Sequence, residues 1–126
     1  MRTIYTAGYS GWTPSQLNAK AISLNAVVLD IRLSPTSRRP EWRKGALQKL
    51  LGHRYVLVSD LGNINYKGGP IILANPGPGI AIACQELARR NIILLCACRD
   101  VAVCHRSIAA SRISQATGAP VVHLDP

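Results

Sequence analysis

The chain has 126 residues, 48% of them apolar, which suits one domain with a hydrophobic core and excludes a disordered chain. No apolar run reaches membrane-spanning length, and the opening Met1-Arg2-Thr3-Ile4-Tyr5 lacks the apolar stretch of a signal peptide, so a cytoplasmic protein with reduced cysteines and no membrane partner is expected. The formal charge is +9, and eleven of the fifteen basic residues are arginine, whose planar fork grips phosphate; an anionic small molecule or nucleic acid is the expected partner, with a merely solvated basic surface as the alternative.

Thr3 to Ala7 reads as a first strand, followed by the loop Gly8-Tyr9-Ser10-Gly11. Thr13-Pro14 fits an N-cap with proline at the first helical position, which predicts a helix to about Leu24. Ala26 to Ile31 is a second, continuously apolar strand. Two prolines make Leu33 to Pro40 a loop, and Trp42, Leu47, Leu50 and Leu51 give Glu41 to Leu51 helical spacing. Tyr55 to Val58 is a third strand, closed by Ser59-Asp60-Leu61-Gly62. Asn63 to Gly79 is rich in Gly, Pro and Asn and reads either as a lid over a site or as an irregular surface loop. A helix over Ile80 to Arg90, a strand over Ile92 to Ala97, a helix over His105 to Thr117 capped by Gly118, and a short strand over Val121 to Leu124 complete the chain. Unbroken apolar strands alternating with helices predict residues 1–126 to be a single three-layer α/β/α sandwich on a mostly parallel sheet, Rossmann-like or flavodoxin-like.

In such a sheet right-handed crossovers bring every strand C-terminus to one edge. Here those ends are the polar ones. The first gives Gly8, Tyr9 and Ser10; the second Asp30, Arg32, Ser34, Ser37 and Arg38; the third Asp60 and Gly62; the fourth Cys96, Cys98, Arg99, Asp100, Cys104, His105 and Arg106. The strand N-termini are bland by contrast. Asp30 and Arg32 share a parity, so either a structural salt bridge or a carboxylate that orients or deprotonates a reacting group is expected. Cys104-His105-Arg106-Ser107 opens the last helix, where free N–H groups and the helix dipole attract anions and lower a thiol pKa. The catalytic candidates are therefore Asp30, Cys96, Cys104 and His105. The candidates for substrate or anion binding are Gly8, Tyr9, Ser10, Arg32, Ser37, Arg38, Arg99, Arg106 and Ser107.

The site is not a tyrosine-phosphatase loop, because Asp100 and not cysteine stands six residues before Arg106; Walker A and G-x-G-x-x-G motifs are also absent. No cofactor is required by the sequence. Cys96, Cys98, Cys104 and His105 would suit zinc, but Cys-x-Cys with a cysteine six further on is not a standard structural spacing, so no metal ligand is assigned. Cys84 reads as a core thiol, His53 as surface, and His123 as structural.

Four motifs together resemble the DUF488 family, small α/β proteins of uncharacterised function. They are Thr6-Ala7-Gly8-Tyr9-Ser10, Asp30-Ile31-Arg32-Leu33-Ser34-Pro35-Thr36-Ser37, the Asp60-Leu61-Gly62 turn, and Leu94-Leu95-Cys96 with Cys104 to Ser107. The resemblance spans nearly the whole chain and implies the α/β fold and a site at these motifs, without a reaction. Two positions depart from the family pattern: Tyr9 stands where histidine is usual, and Cys98 where glutamate is common. Any acid or base role of that glutamate would here be lost or taken by a thiol.

Three functions follow as expectations. The first is an enzyme on a nucleotide or nucleic-acid substrate, with hydrolytic or transfer chemistry. The second is a binding module without chemistry, with Trp12 and Trp42 available to stack on bases or, more simply, packed at helix starts. The third is a thiol redox or zinc protein, weakened by the lack of C-x-x-C. A homodimer is compatible with all three.

Overall fold

The apolar strands carry two alternating sets of side chains, and each set buries against a different pair of helices. The computed structural model describes residues 2–97 and 104–126. Its elements are β1 (Ile4–Gly8), α1 (Pro14–Ser23), β2 (Ala26–Asp30), α2 (Lys44–Leu51), β3 (Tyr55–Leu57), α3 (Pro76–Leu87), β4 (Asn91–Cys96), α4 (His105–Thr117) and β5 (Val121–His123). Val27, Leu29, Ile92 and Leu94 pack with Ala83 and Leu87 of α3 and Ala109, Ala110 and Ile113 of α4. The alternate residues Ala26, Val28, Ile93 and Leu95 pack with Leu17 and Ala21 of α1 and Leu47 and Leu51 of α2. A period-2 strand buried on both faces needs both sets apolar, which is why these strands read as unbroken hydrophobic runs.

The sheet has five strands in the order β3-β2-β4-β1-β5, and every pairing is parallel. The expected three-layer α/β sandwich is therefore the observed one. Its strand order sets β4 in the middle, between β2 and β1, whereas the dinucleotide-binding order places β1 directly beside β2. Among the described residues, no helix is long and apolar enough to cross a membrane.

Local chemistry fixes the helix ends. Thr13 caps α1 in a complete capping box with Gln16: the Gln16 N–H donates to Thr13 Oγ1, and the Thr13 N–H to Gln16 Oε1. Gly118 closes α4 in the left-handed conformation, φ 76°. Two helix starts differ from the sequence reading. Helix α3 begins at Pro76, a turn before Ile80, because Pro76 and Pro78 lie in the first turn, where missing N–H groups cost nothing. The segment from Glu41 is a single 3₁₀ turn, Pro40–Trp42, and α2 starts only at Lys44 because Arg43 is extended (φ −74°, ψ 154°).

The turn after β3 is pressed onto the loop after β2. An ideal Cβ at Gly62 would lie 2.6 Å from the backbone N and Cα of Leu33, next to Arg32, although φ at Gly62 is an ordinary −70°. Substituting Gly62→Ala should therefore cost about 1–3 kcal/mol through overpacking alone, read as a lower urea midpoint at unchanged slope. A variant as stable as wild type would show that the two loops can separate freely.

Candidate functional site

Strand β2 leads through α2 to β3 on one side, while β4 leads through α4 to β5 on the other. Adjacent strands whose connections diverge in this way leave a crevice at their carboxyl ends. Asp30 to Ser37 leave β2 there, and Cys96-Ala97 leave β4.

The floor of the crevice is built on Asp30, which is fully buried. Asp30 Oδ1 accepts from Arg32 Nε (2.8 Å) and from the Arg32 backbone N–H (3.2 Å); Oδ2 accepts from Arg32 Nη2 (2.7 Å) and from the Tyr55 hydroxyl (2.6 Å). The carboxylate is thus satisfied on both oxygens, as a buried charge requires. Burial opposes the charge on Arg32, but the hydrogen bonds and field of Asp30 outweigh it and raise the guanidinium pKa. Burial, together with donation to Asp30, pushes the Tyr55 phenol well above its ordinary value. Arg32 Nη1 makes no hydrogen bond to the described residues. The side chain, 8% exposed, opens onto a cavity of about 580 Å³.

That cavity is lined by Tyr9, Ser34, Thr36 and Ser37 from the loops after β1 and β2, and by Ala97 and His105. Tyr9 stacks on the buried Trp42 (ring centroids 4.7 Å apart), its hydroxyl is bonded to Ser37 Oγ (2.7 Å), and the Arg32 guanidinium lies over its ring (5.6 Å). The rest of the lining comes from the 63–75 loop through Asn63, Asn65, Tyr66, Lys67, Gly68, Gly69 and Ile71. This loop is a folded-back flap: Asn63 bridges Leu73, the Ile64 N–H donates to Ile72 O, and Asn63 Oδ1 accepts from the Asn65 and Ile72 N–H groups. Tyr66 is 65% exposed, with Lys67 Nζ 5.8 Å from its ring centre.

Beside His105 lie two cysteines. His105 Nε2 donates to the Ile31 carbonyl (2.7 Å), which fixes the proton on Nε2 and leaves Nδ1 as a lone pair 3.9 Å from Cys104 Sγ. Burial, aided by the Arg106 charge, lowers the His105 pKa against the raising effects of the Ile31 carbonyl and the Asp30 charge, which favours the neutral ring. Cys96 and Cys104 are paired as a disulfide, where reduced thiols were expected, with Cα atoms 7.8 Å apart, and Arg106 Nη1 donates to Cys96 Sγ (3.5 Å). The donor atoms of Cys96, Cys104 and His105 all lie within 4.8 Å of one another, a grouping that can hold a metal ion.

The structure therefore gathers Tyr9, Arg32, Ser37 and His105 at one cavity, with Asp30 behind Arg32 and with Cys96 and Cys104 near His105. Gly8 and Ser10 do not line it. Arg38 is exposed away from it, Ser107 caps locally by donating to the Cys104 carbonyl (3.0 Å), and Arg106 is turned inward, 3% exposed. Cys98, Arg99 and Asp100 lie outside the described residues. Sequence reasoning flagged the 63–79 segment as a candidate lid but singled out none of its residues; Tyr66-Lys67, an aromatic beside a cation in a Gly- and Asn-rich loop, was the available signal. Cys84 is part-buried against the core, His53 is exposed, and His123 bonds the buried Thr6 hydroxyl (2.6 Å).

Together these features define a three-layer α/β protein with a polar, arginine-floored cavity at the carboxyl edge of a parallel sheet. No family model, curated protein or solved structure matches the chain.

Because folded Tyr55 keeps its proton to higher pH than an unfolded tyrosine, its contribution to stability is complete below about pH 10 and is lost as pH rises beyond that. Thermal unfolding measured across the alkaline range should fall more steeply for wild type than for Tyr55→Phe. Parallel curves would mean that the Tyr55–Asp30 bond does not persist in solution.

Proposed function

We propose that the protein is an enzyme that binds a phosphate-bearing small molecule of nucleotide type in this cavity and acts on it by hydrolytic or transfer chemistry. The observation that carries the reading is the Arg32 guanidinium, held on Nε and Nη2 by Asp30 and lining the cavity. A pre-oriented, partly desolvated arginine is a strong phosphate donor. Ser34, Thr36 and Ser37 supply hydroxyls beside it, and Lys67 a second cation. The exposed Tyr66 ring in the cavity lining offers a surface for a base. In this reading Asp30 positions Arg32, since both its oxygens are engaged, and His105 is the titratable group at the end of the cavity.

The cavity volume falls within the roughly 300–1,000 Å³ of small-molecule sites, which favours a mononucleotide-sized ligand over a polymer. A pure binding module would hold its ligand with the same arginines, with Trp12 and Trp42 as the only base-stacking candidates singled out. Both are buried in the core against α1 and α2 and cannot serve. The resemblance to the DUF488 family belongs to the same proposal: its Asp30-Arg32 and Cys104-Ser107 motifs flank this cavity.

The test is a thermal-shift and calorimetric panel of inorganic phosphate, nucleoside mono- and diphosphates, NAD and short oligonucleotides. Arg32→Lys is the variant of choice because it keeps a cation for Asp30 while removing the fork. A nucleotide should stabilise wild type, with affinity lowered roughly 10-fold or more in Arg32→Lys, in line with the 1.5–3 kcal/mol of a charged hydrogen bond. Tyr66→Ala should weaken nucleotides but leave inorganic phosphate unaffected. Equal binding by wild type and Arg32→Lys would remove this cavity as the phosphate site.

A further inference from the structure

The cysteines beside His105 carry a second inference, which does not depend on the nucleotide reading. We infer that Cys96, Cys104 and His105 form a zinc-binding site. Cys96 ends the central strand β4, while Cys104 and His105 open α4, so the two ends of one strand–helix connection supply the three donors. Their donor atoms lie within 4.8 Å of one another and all three residues are buried.

Three observations select a metal over other uses of the cluster. First, His105 is set for coordination: Nε2–H is spent on the Ile31 carbonyl, so Nδ1 faces the sulfurs with its lone pair. A ring held by a backbone carbonyl on its far nitrogen is the usual support of a metal-binding imidazole. Second, the Cys96 and Cys104 Cα atoms stand 7.8 Å apart, beyond the roughly 4.4–6.8 Å spanned by a disulfide. A tetrahedral zinc with Zn–S near 2.3 Å holds two sulfurs about 3.8 Å apart, so the paired sulfurs must be reduced and move apart to take the ion, which the wide backbone spacing allows. Third, Arg106 Nη1 donates to Cys96 Sγ, which places a positive charge beside the sulfur that would carry the negative charge of a ligand.

Two thiolates and one imidazole form a soft donor set that fits zinc. On binding, each thiol releases its proton to solvent and forms a Zn–S bond, so two protons leave and the ion's charge is balanced by the two thiolates. Three protein donors fill three tetrahedral positions. His105 belongs both to this cluster and to the cavity lining, which places the metal at the His105 end of the cavity and brings a Lewis acid to it.

The experiment measures metal on the full chain purified under reducing conditions. Elemental analysis should find about one zinc per chain. Replacement with Co(II) should give a thiolate-to-metal charge-transfer band in the near ultraviolet. Cys84→Ser should retain the metal, whereas Cys96→Ser, Cys104→Ser and His105→Gln should each weaken it roughly 100-fold or more, beyond the 10–100-fold typical of losing a mere supporting group. Should those variants fail to fold, alkylation of wild type followed by peptide mapping decides: zinc should protect Cys96 and Cys104 but not Cys84. Metal-free protein that takes up neither zinc nor Co(II) when reduced, protection confined to other cysteines, or a Cys96–Cys104 disulfide in protein devoid of metal would each overturn the site. Arg32→Lys should bind metal as wild type does, so the nucleotide reading and this one fail separately.

Discussion

Asp30 is a charge buried without any exposure to water, and much of this molecule's polar architecture answers it. A carboxylate in that position costs several kcal/mol unless every lone pair is used. The chain uses them with the residue two positions on, Arg32, and with Tyr55 from the neighbouring strand β3. The pair ties the end of β2 to the start of β3. It also stops Arg32 from extending into solvent. Breaking it by removing one partner would leave the other charge stranded, so the geometry of the cavity floor and the stability of the sheet edge are a single problem.

From that floor the cavity follows by packing. Arg32 lies over Tyr9, Tyr9 stacks on Trp42, and Trp42 is fixed in the core beside α2. The same chain of contacts explains why Trp42 is unavailable for a ligand: it holds the tyrosine that holds the arginine. Gly62 lets the turn after β3 touch Leu33, and the folded-back loop over residues 63–75 lines the same cavity as Arg32.

Much of this was legible in the sequence because it rests on local rules. Continuous apolar runs gave two-faced strands, Thr13-Pro14 and Gly118 gave helix ends, and the crowding of polar residues at strand C-termini gave the location of the site. The parity of Asp30 and Arg32 implied that they share a side, which the bidentate pair requires. What stayed hidden depends on the path of the chain through space. The central position of β4 has no local signature. An arginine one residue into a helix looks the same whether it points out, as expected of Arg106, or inward to Cys96 as it does. The spacing from Cys96 to Cys104 is irregular in sequence, and their sulfurs meet only because β4 and α4 return to the same edge. The flap residues Tyr66 and Lys67 have no periodicity to reveal which face they present.

The central placement of β4 has a consequence for the order in which the molecule can form. Among the described residues β1 bonds only to β4 and β5, both made late in synthesis, while β2 and β3 are neighbours in chain and sheet. As a chain emerges, the β2–β3 edge and its Asp30–Tyr55 bond can close early, but β1 has no strand partner until Asn91–Cys96 appears. Ile4 must then find Ile92 across most of the chain, a non-local closure of the kind that slows folding. The strand that joins β1 to the β2–β3 pair is also the one that delivers Cys96 to the cluster, so the joining of the sheet and the arrival of the cluster's first sulfur are one event.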